Sequence, residues 1–132
     1  MSTDRNSQET GGRQHLLVLI VDDEEPIAEA LVYVVEDMGY TAAHATGGRA
    51  ALEMVEAGLR PALIVTDLMM PQMDGARLVG ALRATLGPAM PPVILMTAAN
   101  PHYAAGVAVD AKLPKPFGVA EVERLLARFL AN

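Results

Sequence analysis

The sequence contains no cysteine, which rules out disulfide staples and thiolate zinc sites and matches a reducing compartment. It has no apolar stretch near the roughly 20 residues that span a bilayer, and its N-terminus lacks the charged and apolar layout of a secretory signal. A cytoplasmic protein with no membrane partner is therefore expected. Basic residues are few and scattered: Lys and Arg number 10 against 16 acidic residues, for a formal charge of -6. That leaves no footprint for direct binding of nucleic acid, and the mild acidity needs nothing beyond a solvated surface. What remains, 132 residues of which 52% are hydrophobic, is enough for one compact domain with a real core.

Residues 1–14 are rich in Ser, Thr, Gly, Asn and Gln, carry no periodic apolar signal and read as a disordered tail. The domain is expected over residues 15–132. There, short apolar runs alternate with helical patterns. The runs Leu16 to Val21, Thr41 to Ala45, Ala62 to Thr66, Val93 to Thr97 and a short piece near Asp110 to Leu113 are strand-sized. Between the first two, Ile27, Ala30, Leu31, Val34, Val35 and Met38 recur at helical spacing, opened by Pro26 and closed by Gly39. Further helices are predicted over Gly48 to Ala57, Gly75 to Leu86, weakly around Pro101 to Val107, and over Val119 to Leu130, whose apolar residues form one stripe.

Such alternation implies right-handed crossovers and an α/β fold: a doubly wound, five-stranded parallel sheet covered on both faces. The first, third and fourth runs are continuously apolar, as central strands are, whereas the second and fifth are weaker. Pro114 also suits an edge, since proline donates nothing to a ladder. The order 2-1-3-4-5 meets these constraints. The winding then reverses between the first and third strands, and ligands bind in the crevice at the carboxyl ends there.

Asp22 and Asp23 follow the first run and Asp67 the third, so three carboxylates converge on that crevice. They repel one another unless a hard divalent cation sits among them. Thr97, ending the fourth run, and Lys115, after the fifth, reach the same rim. A carboxylate attacks phosphorus, a cation neutralises incoming phosphoryl oxygens, and a lysine with a hydroxyl holds the rest. The set suits acceptance of a phosphoryl group. Taken singly, each residue has a plain explanation: an acidic pair at a helix start, a loop carboxylate, a strand threonine, a solvated lysine. It is the supply of matching chemistry by four separate strand ends that gives the set weight. The histidines weigh little, because His15 borders the tail, His44 lies in an edge strand and His102 in a weak helix, all apart from the acids. The eight methionines read as core or loop packing.

The stretches Val21-Asp22-Asp23-Glu24, Asp67-Leu68-Met69-Met70-Pro71 with Met73-Asp74-Gly75, Met96-Thr97-Ala98 and Lys115-Pro116-Phe117 together resemble the receiver domains of bacterial two-component response regulators, which are flavodoxin-like. The resemblance runs from about Gln14 to the C-terminus. It implies that Asp67 accepts a phosphoryl group from a histidine kinase or histidine phosphotransfer protein. It also implies that Asp23 and Asp67 bind Mg²⁺ directly with the main-chain carbonyl of Met69, while Asp22 acts mostly through water. Thr97 and Lys115 would contact the phosphoryl oxygens, and Lys115-Pro116 would be cis, which an X-Pro bond permits. Kinases recognise receivers along the first helix and the loop after the fifth strand, here Pro26 to Val34 and Pro116 to Val119. Ile27, Ala30 and Leu31 would divide between core and kinase contact.

Two departures stand out. Receivers usually carry Tyr or Phe three residues before the lysine of the fifth strand, where this chain has Lys112; the usual aromatic readout is absent. The stretch from Thr97 to Lys115 is also about one helical turn short of the family spacing. Pro101 and Gly106 give it low helix propensity, so a shortened fourth helix is expected there, as the most mobile part of the domain. With Asn132 ending the chain after the last helix, a single-domain regulator is expected, signalling through a downstream protein target and not acting as an enzyme beyond its own phosphorylation and dephosphorylation. The alternative is a degenerate receiver serving as a phosphorylation-independent binding module. A hydrolase of the haloacid-dehalogenase type fits less well, because Met69 stands where its second acid belongs.

Overall fold

The computed structural model describes residues 16–98 and 106–131. Its strands are β1 (Leu17–Val21), β2 (Thr41–Ala45), β3 (Leu63–Asp67), β4 (Val93–Thr97) and β5 (Ala111–Pro114). They form one parallel sheet in the order β2-β1-β3-β4-β5, as the strand pattern predicts. The described α-helices are α1 (Glu25–Asp37), α2 (Gly48–Glu56), α3 (Gly75–Leu86) and α4 (Val119–Leu130). The tail at residues 1–14, His15, His102 and most of the Pro101 to Val107 segment lie outside the described residues, and residues 106–110 carry no regular element.

Side-chain alternation explains how the sheet is covered. Val18 and Ile20 face one side, where Leu31, Val34 and Val35 of α1 and Val122, Leu126 and Leu130 of α4 close over them. Leu19 and Val21 face the other, under Ala51 and Val55 of α2 and Leu78, Val79 and Leu82 of α3. Because successive residues point to opposite faces, a continuously apolar run is what a strand buried on both sides needs, and β1, β3 and β4 are the runs with it.

Helix ends fall where local chemistry puts them. Gly39 takes φ 94° just past α1, a left-handed conformation that costs glycine nothing. Its N–H donates to Glu36 O at 3.0 Å and the Tyr40 N–H to Val35 O at 3.1 Å, closing the helix with a Schellman motif. The Asp74 carboxylate accepts from Arg77 N at 2.9 Å and caps the start of α3.

Three strands differ in their bounds from the sequence reading, β1 beginning at Leu17 and not Leu16. β3 begins at Leu63 and includes Asp67, because Asp67 pairs with Met96 and the next residue, Leu68, still donates to Met96 O at 3.0 Å. β5 runs one residue later and includes Pro114, which pairs with Thr97; its missing N–H is harmless since, among the described residues, no strand lies beyond β5.

Among the described glycines, Gly75 leaves the least room for a side chain. A Cβ there would fall 2.4 Å from Asp67 O and 3.0 Å from Leu68 Cα, both backbone atoms. Its N–H donates to Leu68 O at 2.7 Å, so the α3 N-terminus is clamped against the end of β3. Gly75→Ala should therefore lower the unfolding free energy by about 2 kcal/mol. Gly80→Ala, on the exposed side of α3 with nothing near its Cβ position, should raise it by about 0.5–1 kcal/mol. Urea denaturation followed by circular dichroism reads both; equal effects of the two substitutions would contradict the close approach at Gly75.

Candidate functional site

All the residues singled out at the strand ends come to the carboxyl edge of the sheet. Asp22 and Asp23 follow β1, Asp67 ends β3, Thr97 ends β4, and Lys115 follows β5. Asp22, Asp67 and Thr97 are buried, while Asp23 is exposed. Asp22, Asp23 and Asp67 each offer a carboxylate oxygen, all within 4.8 Å of one another.

The Lys115 Nζ sits in the middle of the acids, 3.3 Å from Asp67 Oδ1, 3.5 Å from Glu24 Oε1 and 3.6 Å from Asp22 Oδ2. Its backbone N–H donates to Thr97 O at 2.7 Å, which carries the lysine on the end of β4. The Lys115-Pro116 bond is cis, as the resemblance implies. Asp22 Oδ1 accepts from Glu24 N at 2.8 Å, whereas the buried Asp22 Oδ2 has no hydrogen-bond partner.

Burial pushes the Asp67 carboxyl above the ordinary carboxylate value of 3.8; the Lys115 charge opposes the rise and the Asp22 charge adds to it. Burial likewise raises Asp22, against the Glu24 N–H and the Lys115 charge. For Lys115 burial acts downward, but the charges of Asp67, Asp22 and Glu24 together outweigh it, and its value lies above 10.5. One ammonium thus faces more carboxylates than it can neutralise. The donors are all hard oxygens, and a buried carboxylate oxygen stands without a hydrogen bond, so the residues fit a hard divalent cation.

Met69 lies in the loop after β3 with its side chain half exposed, so only its main chain could serve the site. Met70 is buried. Lys112 is exposed on β5. One expectation needs correction. His44 is not apart from the acids: its Nε2 lies 3.0 Å from Asp22 O. The β1-β2 register pairs His44 with Ile20, and an imidazole two residues short of Asp22 on the neighbouring strand is long enough to reach forward. Glu24, read only as part of a motif, also belongs to the site through Lys115. Neither role carries a linear signal, because both depend on register and side-chain reach.

The family model for the response regulator receiver domain matches residues 18–127. This chain belongs to that family. It is 39% identical over 118 residues to the response regulator MprA of Mycobacterium ulcerans (strain Agy99), an alignment covering 86% of this chain and 48% of the relative. The chain thus spans about half the length of the curated relatives it matches. Among solved structures, a putative response regulator from Chloroflexus aurantiacus J-10-fl is 27% identical, with a TM-score of 0.79 over 89% of this chain and 99% of that one. The receiver domain of sensor histidine kinase PA1611 from Pseudomonas aeruginosa PAO1, 24% identical, has the same fold at a TM-score of 0.79 over 89% and 99% of the two chains; that structure has a magnesium ion coordinated in its active site cleft. The receiver family works in two-component signalling and binds Mg²⁺ at an acidic site, and Asp22, Asp23 and Asp67 form an acidic cluster in this receiver. No described helix is long and apolar enough to cross a membrane.

The carboxylate shifts set a pH dependence. A folded-state value above 3.8 means the native chain holds those protons more tightly than the unfolded chain, so the charged carboxylates destabilise the fold at neutral pH. That penalty is relieved as pH falls through the raised values towards 3.8. Lys115 has the opposite consequence: its stabilisation is complete below 10.5 and lost as pH rises above that. In chelator-treated buffer, Asp67→Asn should be more stable than wild type at neutral pH by on the order of 1 kcal/mol. Thermal unfolding across a pH series should show that gap closing on acidification; a gap independent of pH would argue against the burial penalty.

Proposed function

We propose that this receiver accepts a phosphoryl group on Asp67 from a phosphohistidine of a partner histidine kinase or histidine phosphotransfer protein, and signals through protein-protein interaction with a downstream target. The observation that carries the reading is the Lys115 ammonium 3.3 Å from Asp67 Oδ1, inside the acidic cluster. We take residues 15–132 as the unit that does this, in the cytoplasm, where such kinases act.

An Asp67 carboxylate oxygen attacks phosphorus, the phosphorus–nitrogen bond of the donor breaks, and the imidazole leaves with the bonding electrons and takes up a proton. Lys115 holds one Asp67 oxygen by its charge and leaves the other to react. After transfer, its ammonium and the Thr97 hydroxyl hold phosphoryl oxygens. Asp22, Asp23 and Asp67, with the main-chain carbonyl of Met69, would hold Mg²⁺, which supplies positive charge for the phosphoryl oxygens. The chemistry is limited to the protein's own phosphorylation and dephosphorylation.

A groove beside the site supports the choice of partner. Pro26, Ile27 and Ala30 of α1 line it with Lys115, Pro116 and Phe117. Of the α1 residues, Leu31 is buried, Ile27 half-buried and Ala30 exposed, so the division between core and contact falls at Ala30. An apolar helix face of a partner could rest there with its histidine directed at Asp67.

Incubation with Mg²⁺ and a small acyl phosphate should add the mass of one phosphoryl group to wild type and nothing to Asp67→Asn. Lys115→Ala should slow uptake by on the order of 100-fold. Intact-mass analysis reads all three. A wild type that stays unmodified under acyl phosphate and with purified kinases would favour the binding-module reading, which the exposed Lys112 in the usual aromatic position also suits.

A further inference from the structure

The Asp22–Asp23 segment leaves the sheet just where the parallel ladder stops. β1 and β2 pair from Leu17↔Thr41 to Val21↔Ala45, and one further main-chain bond, from Asp22 N to Ala45 O at 3.2 Å, extends the ladder by half a residue. The next group on that side, the Asp22 carbonyl, has moved beyond the last β2 residue. The His44 side chain meets it instead, with Nε2 3.0 Å from Asp22 O. A carbonyl oxygen only accepts, so His44 donates and carries a proton on Nε2.

The bond fixes a particular object, the peptide plane joining Asp22 to Asp23. The Asp23 carboxylate has no hydrogen bond or ion pair among the described residues, yet it contributes an oxygen to the acidic cluster. Its place is therefore set by the main chain behind it. With the Asp22 N–H held by Ala45 O and the Asp22 carbonyl held by His44, that main chain is fixed from β2 on both sides of Asp22.

We propose that His44 is a positioning residue for the divalent-cation site, locking the Asp22–Asp23 peptide plane from the neighbouring edge strand so that the Asp23 carboxylate is aimed into the cluster before the cation arrives. The inference rests on the reading that Asp22, Asp23 and Asp67 hold such a cation. Groups that orient a metal ligand from outside its coordination sphere commonly change affinity by 10-fold or more when removed, and here the orientation acts through one peptide unit.

Mn²⁺ serves as the probe, with binding followed by the electron paramagnetic resonance of the free ion. His44→Phe keeps a ring on the half-buried strand position but removes the donor; it should bind Mn²⁺ about 10-fold more weakly than wild type, with a metal-free melting temperature close to that of wild type. His44→Gln places an amide N–H where Nε2 was and should restore affinity to within about twofold, a rescue that a purely structural role would not produce. A His44→Phe protein that binds as tightly as wild type, or a His44→Gln protein as weak as His44→Phe, overturns the inference. Wild type alone provides a second arm that needs no variant to fold: long-range nitrogen–proton spectra should show Nε2 protonated, and a neutral ring protonated only on Nδ1 overturns it equally. A wild type that takes up no Mn²⁺ overturns instead the reading of the acidic site itself, a result distinct from either failure of His44.

Discussion

Three carboxylates share one ammonium at the carboxyl edge of the sheet, and a fourth stands beside them. Lys115 lies within 3.6 Å of Asp22, Glu24 and Asp67 oxygens, and at an effective dielectric of about 20 a single contact at 3.3 Å amounts to roughly 5 kcal/mol of gross attraction. Carboxylate oxygens 4.8 Å apart repel by about 3.5 kcal/mol on the same measure, and several such pairs exist within the cluster. The lysine thus holds the group together without neutralising it. A site in this condition takes up positive charge readily and presents a nucleophilic oxygen beside it, which is the electrostatic state a phosphoryl acceptor requires.

The sheet makes that concentration of charge tolerable by supplying rigidity elsewhere. Asp22 and Asp67 are carried at the ends of β1 and β3, whose other residues are, but for Thr66, apolar and, but for Leu17, buried, so the strands cannot slide to let the carboxylates separate. The start of α3 is pressed onto the end of β3 at Gly75 with no room for a side chain. Leu68 is bonded to Met96 and Lys115 to Thr97, tying the ends of β3, β4 and the chain beyond β5 into one frame. The repulsion is held by packing that lies a few residues away from it, the usual division between a stable scaffold and a destabilised site.

Sequence pattern carried the scaffold further than the site. Continuous apolar runs in β1, β3 and β4, against the weaker β2 and β5, were enough to order the sheet, because burial on two faces leaves no other composition open to a central strand. The strand-end acids, Thr97 and Lys115 were legible for the same reason: once the order is known, their positions at the crevice follow. Gly75 and His44 were legible only in three dimensions. The requirement for glycine at Gly75 comes from a backbone atom eight residues earlier in the chain, and the bond from His44 depends on a register that two short strands do not announce. The inclusion of Asp67 and Pro114 in their strands has a similar origin, since a ladder ends where its partner's bonds end and not where hydrophobicity does.

The same frame constrains how a change at Asp67 can travel. In this receiver, position 112 holds an exposed lysine and not an aromatic ring. Main-chain bonds lead from Asp67 to the N-terminus of α3 through Leu68 and Gly75, and from Lys115 to the end of β4 through Thr97. On the proposed reading, a phosphoryl group on Asp67 would draw on the Lys115 ammonium and the Thr97 hydroxyl together, and these belong to residues already bonded to each other through their backbones. On that reading, a signal would leave the site through a paired displacement of the β4 end and the loop after β5. That loop carries Pro116 and Phe117, which line the groove with Pro26, Ile27 and Ala30 of α1, so a displacement there would reshape the groove as well.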